Sequence, residues 1–166
     1  MTQLDSSRPG GLYDPATEHD ACGVGFVVDM KGRRSHTIVE QGLTILKNLQ
    51  HRGACGCEEN TGDGAGILVQ IPHAFYAREC ERLDVKLPVA GEYGTGLVFL
   101  PRDSGQRAAC EKLFEAVVRE ESQVVLGWRD VPVDDAALGP SARACEPVCR
   151  QIFIGRGGSV KDAALF

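Results

Sequence analysis

Residues 19–29 read His-Asp-Ala-Cys-Gly-Val-Gly-Phe-Val-Val-Asp, a cysteine set between a polar leader and a short apolar run. Val24, Phe26, Val27 and Val28 predict a buried strand over Cys22–Asp29, opened by small residues. Two readings of Cys22 stand side by side. As a small apolar side chain it belongs in a core. As the first residue of a chain cut at Ala21–Cys22, it sets a thiol of pKa about 8.5 beside an α-amine of about 8. Nucleophile and base then share one residue. In that second reading Gly23 and Gly25 leave room beside the thiol.

Upstream, residues 1–21 lack the apolar core of a secretory signal and carry Asp5, Asp14, Glu18 and Asp20, which organelle transit peptides avoid. By composition they form a polar terminus. Downstream, Ile38, Val39, Gly42, Leu46 and Leu49 share one stripe of a helix predicted over Thr37–Leu49. His51–Gly66 is rich in glycine and acid and reads as a loop. A strand over Ile67–Ile71 follows, then Pro72 as the first residue of a helix over His73–Leu83. The pattern continues with a turn at Ala90–Tyr93 and a strand over Thr95–Leu100. A helix over Gln106–Glu121, a strand over Val124–Trp128, an irregular connection over Val131–Ser141 and a strand over Arg150–Ile154 complete it. Such alternation usually means a parallel sheet, but the strands are short and no G-x-G-x-x-G follows the first one.

The chain has 166 residues, enough for about one domain with its own core. Its net charge of −5 offers no basic footprint for nucleic acid or anionic lipid. The longest apolar runs, Ile67–Ile71 and Gly96–Leu100, are too short to cross a bilayer. Seven cysteines, an odd number at irregular spacings without a secretory signal, indicate a reduced, cytoplasmic chain. Cys55-x-Cys57 and Cys145-x3-Cys149 lack the spacing of common zinc or iron–sulfur sites, so no metal is expected.

Three other stretches could carry chemistry. His51-Arg52-Gly53 can cap the carbonyls of the preceding helix, or Arg52 can lower the Cys22 pKa and orient a new chain terminus. Thr61-Gly62-Asp63-Gly64-Ala65-Gly66 is neither a Walker loop nor a calcium loop, and reads as a tight turn that lets backbone approach something closely. Trp128-Arg129-Asp130-Val131-Pro132 reads as a strand end with a turn.

Taken in order, these pieces carry a resemblance. His19–Phe26 resembles the start of the amidotransferase domain of glutamate synthase large subunits. The likeness continues through Leu49-Gln50-His51-Arg52-Gly53-Ala54 and Thr61-Gly62-Asp63-Gly64-Ala65-Gly66-Ile67-Leu68. It persists in Gly94-Thr95-Gly96, Gly127-Trp128-Arg129-Asp130-Val131-Pro132, Leu138-Gly139-Pro140-Ser141-Ala142, Glu146-Pro147 and Gln151-Ile152-Phe153-Ile154. On these motifs the chain is similar to the class II glutamine amidotransferases.

The resemblance implies an α+β fold, the N-terminal-nucleophile αββα four-layer sandwich of antiparallel sheets, in place of the parallel sheet. It implies a leader or propeptide at 1–21 and a partial amidotransferase domain at 22–166, incomplete at its C-terminus. Cys22 would be the nucleophile, exposed by cleavage at Ala21–Cys22, with Arg52 and Gly53 holding the new terminus. The Asp63–Gly66 turn would be part of the same wall, with Asp63 and Gly64 as candidate glutamine contacts. The implied reaction is hydrolysis of glutamine to glutamate and ammonia, for reductive amination of 2-oxoglutarate in a synthase region of the same polypeptide. FMN and an iron–sulfur cluster are implied for the full-length protein and no cofactor for this chain. A small electron-donating subunit or ferredoxin is the implied partner.

The sequence also departs from the family. No Asn-Gly dipeptide occurs in it, so the oxyanion pair and the main glutamine-clamping residues are expected beyond Phe166. The isolated chain is therefore expected to be a truncated, inactive piece. Two other readings remain: another class II amidotransferase with a different ammonia acceptor, or an inactive fragment acting only as a binding module.

Overall fold

Ser35 starts the first helix. Its hydroxyl accepts from the Thr37 backbone N–H at 3.2 Å, satisfying one of the free donors of α1, His36–Asn48. The computed structural model describes residues 23–53, 58, 61, 62 and 64–158. The chain divides into two compact units, Met1–Gly56 with Gly62–Ile67, and Cys57–Thr61 with Leu68–Phe166.

In the first unit, α1 runs into a 3-10 turn over Gln50–Arg52. The segment before it differs from expectation. Residues 23–29 make no ladder, and Val24, Phe26 and Val28 are exposed, Val24 at 94%. An extended chain becomes a strand only when its N–H and C=O groups find a second strand, and no ladder forms here among the described residues. Gly23 and Gly25 lie against α1, while the alternating large residues point the other way. Asp29 then closes the segment, its carboxylate accepting from the Lys31 N–H at 2.7 Å and from Arg33 Nε at 3.0 Å. The Arg33 contact is the main reason its pKa is lowered.

The second unit follows the predicted alternation from Pro72 onward. Its elements are α2 His73–Arg82, β1 Tyr93–Leu100, α3 Ser104–Glu120, β2 Val124–Asp130, α4 Pro140–Cys145 and β3 Val148–Gly155. The strand predicted over Ile67–Ile71 is absent, again without a ladder partner among the described residues, and α4 begins at the end of the Val131–Ser141 stretch read as irregular and continues past it to Cys145, where no helix was expected.

The sheet order is β1-β3-β2, with both outer strands antiparallel to β3. β1 and β2 therefore run in the same direction, joined through α3, and the last strand inserts between them. A strand–helix–strand crossover is thus present, yet no two neighbouring strands are parallel. The periodicity could not distinguish this from a parallel sheet. The antiparallel sheet bears out the α+β expectation.

Each face of the sheet has its own packing. On one, Cys80, Tyr93 and Phe153 are buried with Tyr76, Val85, Leu87 and Leu126 around them, and Tyr76 meets Phe153 edge-on at 5.3 Å. On the other, Trp128 meets Phe114 of α3 edge-on at 6.1 Å and donates from Nε1 to Glu115 at 3.2 Å. Arg150 lies over the Trp128 ring and pairs with Glu111 at 2.6 Å. Two helices end without glycine. Asp84 (φ 55) and Ser122 (φ 57) are left-handed, and Val85 and Gln123 each donate 2.9 Å back to the carbonyls of Cys80 and Val118. That is the Schellman arrangement.

Candidate active site

Glycines that cannot be replaced in place explain the motif after Cys22. A Cβ on Gly23 would lie 2.9 Å from Leu49 Cδ2, and one on Gly25 would lie 2.7 Å from Ile45 Cγ2. A side chain at 23 would displace the mobile end of Leu49, whereas at 25 it would run into a β-branched methyl held by the helix, so Gly25 above all lets this segment lie flat on α1. These glycines thus have a packing role on α1; the room they were expected to leave beside the Cys22 thiol falls on a residue outside the described ones. On the same helix, Gly42 accommodates Ile67, whose Cδ1 would stand 2.9 Å from a Cβ there. The stretch leaving Cys22 and the residue after the Thr61–Gly66 motif therefore both rest on α1.

Leu49, which receives Gly23, is also the residue from which the Arg52 turn is built. Arg52 N–H donates to the Leu49 carbonyl at 2.8 Å and Gly53 N–H to the Gln50 carbonyl at 3.2 Å. This is the helix-ending role read for His51-Arg52-Gly53, and His51 Nδ1 lies 2.9 Å from the Asn48 carbonyl oxygen. Arg52 itself is exposed and its guanidinium has no ion pair among the described residues. Gly53 is extended (φ −81, ψ 145), and a Cβ there would meet only the Gln50 oxygen at 3.6 Å. At Gly64 a Cβ would meet no described atom within 4 Å. Among the described residues no packing requires glycine at either position. Cys22 and Asp63 lie outside the described residues.

Sequence reasoning missed a polar cluster in the second unit. Glu58 accepts from the Ser141 N–H at 3.2 and 3.3 Å through its two oxygens, from the Ser141 hydroxyl, and from Thr61 Oγ1 at 3.0 Å. The Ser141 hydroxyl is the main cause that lowers the Glu58 pKa. The only sequence signal was Gly139 before Pro140, a helix start with no side-chain cap of its own.

Arg129 was also missed as anything beyond a strand end. It is nearly buried, pairs with Glu79 at 3.1 Å, reaches Gln151 at 3.4 Å and lies over the Phe75 ring. Gln151 in turn donates to the Tyr76 hydroxyl at 2.8 Å. The β2–β3 register puts Arg129 opposite Gln151 and α2 brings Glu79 to it, and neither neighbour was legible in the sequence. Cys80 is fully buried, and burial raises its thiol above the ordinary 9.0, the opposite of what a nucleophile needs.

The match to known proteins begins at Cys22. Residues 22–165 match the model of the family described as class-II glutamine amidotransferases. The chain belongs to the class-II glutamine amidotransferases. This amidotransferase chain is 45% identical, over its whole length, to the glutamate synthase [NADPH] large chain of Bacillus subtilis, of which it covers 11%. It is 46% identical over 85% of its length to the glutamate synthase [NADH] of Saccharomyces cerevisiae, covering 7% of that protein. Over 90% of its length it is 39% identical to the ferredoxin-dependent glutamate synthase 2 of Synechocystis, covering 10%. It thus spans about a tenth of the length of these curated relatives. Membership brings the N-terminal-nucleophile fold class, to which the antiparallel sheet of the second unit conforms. Among the described residues no helix is long and apolar enough to cross a membrane.

Proposed function

We propose that this chain is the glutaminase part of a glutamate synthase, with residues 1–21 a propeptide and Cys22 the nucleophile. The observation that carries this reading is the seating of Gly23 on Leu49, the residue that starts the turn bearing Arg52 and Gly53. It ties the residue next to Cys22 to the two residues expected to hold the catalytic terminus.

The chemistry follows from the groups at that terminus. Once Ala21–Cys22 is cleaved, the free α-amine takes the thiol proton, and the thiolate attacks the side-chain amide carbon of glutamine. The C–N bond breaks, the amine returns the proton to the leaving nitrogen, and ammonia departs. Water then attacks the thioester, giving glutamate and the thiol again. Arg52 places a fixed positive charge beside this terminus and favours the thiolate. Gly53 holds the terminus together with Arg52, and the Asp63–Gly66 turn forms part of the wall, with Asp63 and Gly64 as glutamine contacts where bare backbone lets the substrate come close.

Ammonia passes to a synthase region of the same polypeptide, which aminates 2-oxoglutarate reductively with electrons from a nicotinamide or ferredoxin donor. FMN and an iron–sulfur cluster belong to that region. No group of three His, Cys, Asp or Glu side chains among the described residues is arranged to hold a metal, and no step here passes through either cofactor.

The test uses the intact protein. Mass analysis should find Cys22 at the mature N-terminus, and Cys22→Ser should abolish glutamine-dependent turnover while ammonia-dependent turnover survives. Active enzyme that still begins at Met1, or loss of both activities together, would overturn the proposal.

A further inference from the structure

We propose that His51 is a positioning residue, its imidazole clasping the end of α1 so that Arg52 and Gly53 keep their places. The inference deepens the function proposed above and rests on it.

The geometry decides which ring nitrogen carries the proton. His51 Nδ1 lies 2.9 Å from the Asn48 carbonyl oxygen, which can only accept, so Nδ1 donates. Nδ1 carries a hydrogen in one neutral tautomer and in the imidazolium alike. The bond therefore holds whether or not the ring is charged. It closes one of the carbonyls that every helix end leaves free.

The turn it closes has little else to hold it. Arg52 and Gly53 are tied back to Leu49 and Gln50 by one backbone bond each, at 2.8 and 3.2 Å. Such short 3-10 turns have poorer hydrogen-bond geometry than an α-helix. Every residue from Gln50 to Gly53 is exposed, so water competes for those bonds. The His51 ring instead reaches back to Asn48, the last residue of α1 itself. Leu49, at the base of the turn, is also where Gly23 rests, so the clasp and the Gly23 segment share one footing. Without the ring, Arg52 and Gly53 would be free to leave that footing. Misplacement of site groups by about 1 Å can cost on the order of 10²-fold in rate.

The experiment compares His51→Ala, His51→Asn and Ser35→Ala with the parent, all in the intact protein. Hydrogen exchange over residues 49–53 reads the clasp. Glutamine-dependent kinetics, set against ammonia-dependent turnover, read its effect on the site. His51→Ala should speed exchange at Arg52 and Gly53 and lower kcat for glutamine about fivefold or more, with KM and ammonia-dependent turnover near parental. An Asn side chain can bond to a carbonyl three residues back, so His51→Asn should recover most of the loss and keep the parental pH profile. Ser35→Ala strips the cap from the other end of α1 and should leave glutamine kinetics parental. Unchanged exchange in His51→Ala overturns the clasp. Faster exchange with parental glutamine kinetics overturns its role at the site, as does equal loss of both activities. An equal loss in Ser35→Ala would assign the effect to helix stability, and a shifted pH profile in His51→Asn would make the ring a proton carrier. Either overturns the positioning role. A parent protein with no glutamine-dependent turnover sinks the underlying function instead, and the exchange comparison then still decides the clasp.

Discussion

Gly25 rests directly on Ile45: a single added carbon at position 25 would stand 2.7 Å from Ile45 Cγ2. Ile45 is β-branched and sits in a helix, where its χ1 is held in one strongly preferred well, so Cγ2 cannot swing aside. The contact decides how the segment after Cys22 meets α1.

A reciprocal pair of substitutions follows from it. Gly25→Ala should push the segment off α1 and lower glutamine-dependent turnover of the intact protein about tenfold or more, through displacement of the cysteine three residues upstream. Ile45→Ala removes Cγ2 and should restore much of the activity when combined with Gly25→Ala. Steady-state kinetics of the two single variants and the double variant give the coupling. Additive losses would show that the contact is not what Gly25 is for.

The left-handed residues that end α2 and α3 predict a gain in stability. A non-glycine residue in that conformation costs roughly 1–2 kcal/mol, part of which glycine gives back through its freer unfolded state. Ser122→Gly and Asp84→Gly should each stabilise by about 0.5–1 kcal/mol. Denaturant midpoints at constant slope are the measurement.

Arg129 and Glu79 predict an asymmetry. Glu79→Ala leaves a nearly buried guanidinium without its carboxylate, held by the Phe75 ring and the 3.4 Å contact to Gln151, and should cost about 3 kcal/mol or more. Arg129→Met leaves Glu79 still paired with Arg82 at 2.9 Å and keeps apolar bulk beside Phe75, and should cost clearly less. Chemical denaturation of the two variants side by side checks the order.

Burial raises the folded pKa values of Cys80 and Tyr93 above their ordinary 9.0 and 10.0. The unfolded chain therefore loses these protons first. The stability they contribute is complete below the ordinary values and is lost as pH rises through the raised ones. The melting temperature should fall above pH 9.0, and Cys80→Ala should flatten the lower part of that decline. Cys80 should also react with a thiol reagent more slowly than the exposed Cys145.

Much of this was legible in the residues, for physical reasons. α1 and α3 announced themselves by their apolar spacing, whereas their caps, Ser35 and Asp103, which start them earlier than that spacing did, were not read. Strand direction was not legible, because β1–α3–β2 has the spacing of a parallel unit and only the insertion of β3 reveals the antiparallel ladders. The strands read at Cys22–Asp29 and Ile67–Ile71 failed because apolar composition cannot supply a hydrogen-bonding partner. At the site, Arg52 and Gly53 stood out by motif. In the second unit Glu58 did not, since its partner Ser141 is remote in sequence and its carboxylate looked like one of several acids in a loop.

The place of β3 has a consequence for how the molecule is born. Both ladders of the sheet use the last strand of the described chain, so β1 and β2 leave the ribosome with nothing to pair with. During that interval their N–H and C=O groups remain open to other chains, and Leu97 and Phe99 stay exposed even after the sheet closes. Synthesis through Gly155 pairs the inner edge of each, which makes the late arrival of one strand the vulnerable moment in building this sheet.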